Sequence, residues 1–329
     1  MISSIDFQAY IKNRYLSIDF LKGLIILFMV FVNTLGYFDT TPFWTRHADV
    51  YGLTYVDLIA PFFIFLLTIN FHLSFQKRVK EMNKIKLYRH YIIRNLILLG
   101  LGLVLYIDAS GDQFRLRWGT LQVISTTALM ILLFAETPPV VRLLVGTLLL
   151  LFYQIFLLPT YNALVYDSIE GGLIGTLSWG SMGLISSFLS SGLLKGKVRK
   201  YFLFFGLLIL LIGIILAPIW GISRFLLTLP FNLISIGISS VLFYVIYYIF
   251  EGWEKREQFK FLTNDNFITI LGKNSLILFL IHLILINIFF AFLPEDLPTF
   301  FTFPLAFLST FIIWFLGYFF YKSEIIFKL

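Results

Sequence analysis

The chain of 329 residues contains no cysteine. That excludes disulfides, a thiol nucleophile, an acyl-cysteine intermediate and any thiolate metal site. Charge is the second scarcity. Lys, Arg, Asp and Glu supply 13% of the residues, about half of what a soluble domain uses to cover its surface. Histidine is the third, with four copies, so proton transfer near neutral pH falls on few positions. A small-residue cleavage site is also missing after the first apolar run, which reads as an uncleaved anchor.

What the chain has instead is apolar. Hydrophobic residues make up 59%, with 39 phenylalanines, and the mean hydropathy is +0.90. They come in blocks of about twenty, each long enough at 1.5 Å per residue to cross a ~30 Å hydrocarbon layer. Continuous runs in place of alternating segments exclude a β-barrel. The expected fold is an all-α, polytopic integral membrane helical bundle of about ten transmembrane helices. They fall at about 16–37, 52–75, 91–107, 119–135, 140–158, 172–193, 202–220, 225–250, 267–293 and 304–321. Residues 1–15 are polar and read as an interfacial segment. Residues 16–329 read as one transmembrane domain, without a linker, a low-complexity stretch or an internal repeat.

Ten spans put both termini on one side. Of the 25 lysines and arginines, only Arg46, Arg115, Arg117 and Arg224 fall on the opposite side, so both termini are expected to be cytoplasmic. The net charge of +7 is then explained by topology and anionic headgroups, and nucleic acid is not needed as a partner. The cytoplasmic strip 76–90, QKRVKEMNKIKLYRH, reads as a headgroup-binding surface or as a landing site for a phosphorylated donor.

Against this background, Asn33, His47 and Asp57 are conspicuous. The orientation places Asn33 within roughly one turn of the outer end of the first span, and Asp57 about 8 Å below the outer edge of the second. His47 lies in the loop above both. An aspartate there costs up to ~3 kcal/mol if it faces lipid, so an inward position is expected. A histidine beside an aspartate is a candidate proton acceptor, with a partner that orients the ring and stabilises its charged form. The plainer readings are an interfacial loop histidine, an interhelical hydrogen bond for Asp57 and a structural Asn33. Other polar residues reach the same level: Arg115, Arg117 and Gln122 before the fourth span, Arg224 before the eighth, and His282 in the outer half of the ninth. Asn274 lies nearer the cytoplasm. His72 and His90 read as interfacial, and Asp19 with Lys22 as a pair across one helical turn.

These residues carry a resemblance. RYLSIDFLKGLIILFMVFVN over 14–33, followed by RHADVYGLTYVDLIAPFFIF over 46–65, resembles the catalytic membrane region of the heparan-α-glucosaminide N-acetyltransferase family. Arg14, Ser17, Asp19, Lys22, Gly23, Asn33, His47, Gly52, Leu53, Thr54, Asp57, Leu58 and Pro61 fall on its pattern. So do Arg117 to Gln122, and Gly272 to His282. The resemblance implies transfer of an acetyl group from cytosolic acetyl-CoA to an amino sugar or glycan on the extracytoplasmic side. It implies His47 as base or transient acyl carrier, Asn33 as oxyanion donor and Asp57 as the partner of His47. Asp19, Lys22, Arg94, Arg117, Gln122, Asn274 and His282 are the candidate contacts for the CoA co-substrate, with no metal. The lipid bilayer and a homodimer are the remaining expected partners, in a cell membrane or a lysosome-like one. The alternative left open is a transporter or flippase that binds a sugar- or lipid-linked substrate without chemistry. Against it, the polar residues gather at one face instead of at broken helices near the midplane.

Overall fold

A computed structural model describes residues 14–108 and 115–327. Among the described residues, ten long helices stand at the apolar blocks. They are α1 (Leu16–Leu35), α2 (Val56–Val79), α3 (Lys84–Leu105), α4 (Thr120–Leu133), α5 (Pro139–Tyr166), α6 (Gly172–Leu194), α7 (Arg199–Trp220), α8 (Leu229–Gly252), α9 (Ser275–Phe292) and α10 (Thr299–Lys322). Eight are long and apolar enough to cross a membrane, and the protein is a polytopic helical membrane protein. The two that fall short do so for different reasons. α4 has only 14 residues, and the first half of α3 carries Lys84, Lys86, Arg89 and Arg94. The interfacial segment expected over 1–15 lies, apart from Arg14 and Tyr15, outside the described residues.

The chain divides into two compact units, each discontinuous in sequence. One comprises 1–47, 54–59 and 243–329; the other comprises 48–53 and 60–242. Both boundaries after residue 59 fall inside helices, α2 and α8, which is why no linker marks them in the sequence.

In the first unit, α1 packs on a short helix, Thr269–Gly272, that precedes α9. The approach is backbone against backbone. A Cβ at Gly23 would sit 2.0 Å from the Ile268 carbonyl oxygen, and one at Gly272 would sit 2.0 Å from the Asp19 carbonyl oxygen. Small residues at a helix contact let dispersion act at close range where lipid removes the hydrophobic drive. Further along α1, Thr34 and Ser309 of α10 join their hydroxyls at 2.8 Å. The loop after α1 is fixed to the turn between α9 and α10: Tyr37 donates to the carbonyls of Phe290 and Leu293, and the Asp39 N–H to Glu295.

In the second unit, α6 is the central helix, with 78% of its apolar window buried, whereas α7 has 17%. α6 tolerates burial because its sequence, GLIGTLSWGSMGLISSFLSSGLL, is mostly small. An aromatic cluster of Phe71, Phe75 and Tyr91 with Ile131 and Leu132 joins α2, α3 and α4. Ile107–Asp108 and Arg115–Leu116 form a two-residue antiparallel ladder between α3 and α4.

Candidate functional site

The loop between α1 and α2 is built to present His47. Arg46 folds back on it, donating from Nε to Thr41 and from Nη2 to the carbonyls of Phe38 and Asp39. Thr54 and Asp57 bond to each other just before α2. Asp57 Oδ2 accepts from the Thr54 N–H at 2.8 Å and lies 3.0 Å from its hydroxyl, which is also 2.9 Å from the Arg46 carbonyl. Gly52 sits at φ +137°, a conformation that side chains with a Cβ rarely adopt. The spacing His47–Gly52–Thr54–Asp57 therefore has a local mechanical reading.

Those bonds use Asp57 Oδ2, and Oδ1 turns to the histidine. His47 Nδ1 lies 2.7 Å from it. Asp57 is fully buried, while the His47 side chain is 39% exposed. A carboxylate beside Nδ1 selects the tautomer with the proton there, which leaves Nε2 as a base. Burial pushes the phenol of the intervening Tyr55 up from its usual range, so it stays neutral.

Asn33 has a different direct partner. Its amide Nδ2 lies 3.2 Å from Nε2 of His282 on α9, and the His282 ring is fully buried, with Nδ1 against the Phe279 carbonyl. The expected group thus resolves into two bonded pairs in one unit, His47–Asp57 and Asn33–His282. His282 stands beside a candidate catalytic residue instead of at the donor end. The sequence placed it at the right level but did not name its partner, because a contact over 249 positions has no local signal.

The other expected donor contacts are dispersed. Asp19 is buried and pairs with Arg14, the arginine just before the helix. Asn274 holds the carboxy-terminal segment, donating to the Ile325 carbonyl at 2.8 Å and accepting from the Phe327 N–H at 3.0 Å. Gln122 is fully buried and closes the turn before α4, accepting from the Gly119 N–H and donating to the Arg117 carbonyl. Arg117 itself is exposed. Arg94 is half-buried on α3.

Sequence reasoning missed a polar cluster beside Asp19. The Ser17 N–H donates to Glu251 at 3.0 Å, and Asp265 takes Lys273 and the Tyr321 hydroxyl. Burial lowers the Lys273 ammonium from its usual range, against the pull of Asp265. One oxygen each of Asp19, Glu251 and Asp265 is buried without a hydrogen bond among the described residues. The signal available was the rarity of acids in an apolar chain.

His72 corrects its interfacial reading. It is 2% exposed, with Arg142 Nη1 3.1 Å from Nδ1 and 3.2 Å from Nε2, and Arg142 Nη2 donating to Ser191 at 2.9 Å. Arg142, counted above as a flanking charge, is likewise buried. Arg224 pairs with Glu170 at 3.0 Å. Among the described residues, no three His, Asp or Glu side chains gather as metal ligands.

Residues 14–170 match the family model "Heparan-alpha-glucosaminide N-acetyltransferase, catalytic". The match includes Asn33, His47 and Asp57; His282 lies beyond it. The chain is also 30% identical to the mouse (Mus musculus) heparan-alpha-glucosaminide N-acetyltransferase over 108 residues, 31% of this chain and 16% of that protein. To the human (Homo sapiens) protein of the same name it is 30% identical over 138 residues, 38% of this chain and 20% of that one. The aligned stretches thus span a fifth or less of the curated relatives. The resemblance to heparan-α-glucosaminide N-acetyltransferases is borne out over the amino-terminal half, where the His47–Asp57 pair lies.

Proposed function

We propose that the chain is a transmembrane N-acetyltransferase that moves an acetyl group from acetyl-CoA to the amine of an amino sugar or glycan. The His47–Asp57 pair carries this reading: a half-exposed imidazole, locked by a buried carboxylate inside the stretch that matches a catalytic family. His47 Nε2 accepts the proton of the acceptor amine as its nitrogen attacks the thioester carbonyl. Asp57 stabilises the imidazolium that forms. The C–N bond forms, the C–S bond breaks, and the imidazolium returns its proton to the departing CoA thiolate. Asn33 uses the amide hydrogen not turned to His282 to stabilise the developing oxyanion.

The charge bias of the loops supports placing His47 on the extracytoplasmic side and the donor's phosphates on the cytoplasmic side. Lys22, Lys273 and Arg14, at the end of the first unit that the bias makes cytoplasmic, would meet those phosphates.

The test is transfer from labelled acetyl-CoA to glucosamine in the purified protein. His47→Ala is expected to abolish transfer while leaving the thermal unfolding midpoint in place. Full activity in that variant would remove the histidine from the mechanism. If no CoA species shifts the unfolding midpoint of the wild-type protein, the transporter reading replaces the enzyme.

A further inference from the structure

The join between α6 and α7 contains two backbone features that a plain membrane hairpin does not need. α6 ends in a Schellman turn: the Lys197 N–H reaches the Gly192 carbonyl at 2.8 Å and the Gly196 N–H reaches Leu193 at 3.2 Å. Gly196 takes the left-handed position, φ +63°, and a Cβ there would meet nothing within 4 Å. α7 then opens with a seven-residue π-helical segment, Arg199–Phe205, a wide turn that is rare and often marks a functional site. Along these two features runs a shallow, open groove lined by residues 196–200, Leu203, Phe204 and Leu207.

The lining of this groove is divided by chemistry. At one end are Lys197, Arg199 and Lys200; along the helix from them are Leu203, Phe204 and Leu207. Arg199, Leu203 and Leu207 recur every four residues, as do Lys200 and Phe204, so both rows run along one face. The three cations are exposed, and so are Phe204 at 62% and Leu207 at 47%. The stretch 195–207, KGKVRKYFLFFGL, contains no acid, and among the described residues no carboxylate forms a salt bridge with Lys197, Arg199 or Lys200. Lys195 turns aside, to the Tyr201 hydroxyl at 3.2 Å. α7 has the smallest buried share of the eight spans, so the apolar part of the groove is available to lipid.

A cationic end joined to an apolar trough on a lipid-facing helix matches a single molecule with an anionic head and a long acyl chain. A soluble nucleotide would leave the trough unfilled, and a zwitterionic headgroup would bring its own cation against three others. We propose that this groove binds one anionic glycerophospholipid. Its phosphate lies on Lys197, Arg199 and Lys200, and an acyl chain lies along Leu203, Phe204 and Leu207. The bound lipid ties the end of α6 to the start of α7. The proposal is independent of the acetyltransferase reading.

The experiment is native mass spectrometry of the full chain in neutral detergent, titrated with phosphatidylglycerol or with phosphatidylcholine of the same acyl chains. One phosphatidylglycerol is expected to be retained in preference to phosphatidylcholine. The triple variant Lys197→Gln/Arg199→Gln/Lys200→Gln is expected to weaken retention by about fivefold per cation removed. Leu203→Gln/Leu207→Gln is expected to weaken it as well. The control triple Lys255→Gln/Lys260→Gln/Lys322→Gln, exposed cations of the first unit, should leave it unchanged. Equal loss in the control would show diffuse surface attraction and overturn the site. Equal retention of both lipids, or equal competition by soluble glycerol 3-phosphate, would overturn the lipid assignment. Circular dichroism of each variant separates lost lipid from lost fold.

Discussion

His47 and His72 are two histidines with opposite partners. His47 is 39% exposed and meets a carboxylate, while His72 is 2% exposed and meets a guanidinium. At His47, the buried Asp57 takes Nδ1 of a half-exposed ring, the orienting contact a proton acceptor needs. At His72, Arg142 Nη1 lies against the ring nitrogens and Nη2 donates to Ser191. The second histidine therefore joins three helices, α2, α5 and α6, by hydrogen bonds, and no face is left for substrate. A buried polar group in an apolar bundle gains free energy by being bonded, so a fully buried ring held by a guanidinium marks structure. A half-exposed ring oriented by a buried carboxylate marks chemistry.

This comparison can be broken at several points. The largest effect is expected at the first histidine: His47→Ala and Asp57→Asn should each lower the rate of acetyl transfer by about 10²–10⁴-fold, measured with labelled acetyl-CoA, with the unfolding midpoint little changed. Next comes the oxyanion donor. Asn33→Ala should lower the rate by about 10²–10³-fold, with a smaller effect on acceptor KM than on kcat. If KM alone moves, Asn33 binds acceptor and does not stabilise charge. At the second histidine the sign of the contrast reverses. His72→Leu should cost about 1–3 kcal/mol of stability, because it leaves the buried Arg142 short of a partner, while the rate per folded molecule stays at the wild-type value. A lost rate with unchanged stability would put His72 in the chemistry. The smallest effect is expected at Thr54. Thr54→Ala should cost about 0.5–1.5 kcal/mol, with a modest fall in rate as Asp57 loses one of its bonds; denaturant titration alongside the assay separates the two.

The helices were legible in the sequence for a simple reason. A run of about twenty apolar residues has one stable arrangement in hydrocarbon, because every backbone group must bond within its own segment. The ten positions follow from that, including α4, whose shortness only the structure reveals. The His47–Asp57 pair was legible too, since ten residues of loop with a T-x-x-D start close on themselves by local bonds. Asn33–His282 and Arg142–His72 were not, and neither was the cluster of Ser17, Glu251 and Asp265. Each joins residues far apart in the chain, and hydrophobic periodicity carries no information about which helices become neighbours. The His72 reading failed for a related reason: position along a helix measures depth, but not which side of the helix faces protein.

By itself, the sequence determined that this is a helical membrane protein, where its helices run, which loops carry the positive charge, and that a histidine and an aspartate fall ten positions apart at the start of α2. Those properties depend on local hydrogen bonding, on the cost of placing charge in hydrocarbon and on short-range turn chemistry. The tertiary structure alone decided which polar side chain meets which across helices, and that in the second unit α6 is central and α7 peripheral. Such choices rest on the packing of small residues at close approach, as at Gly23 and Gly272, and the energy of that packing belongs to pairs of surfaces that no single segment contains.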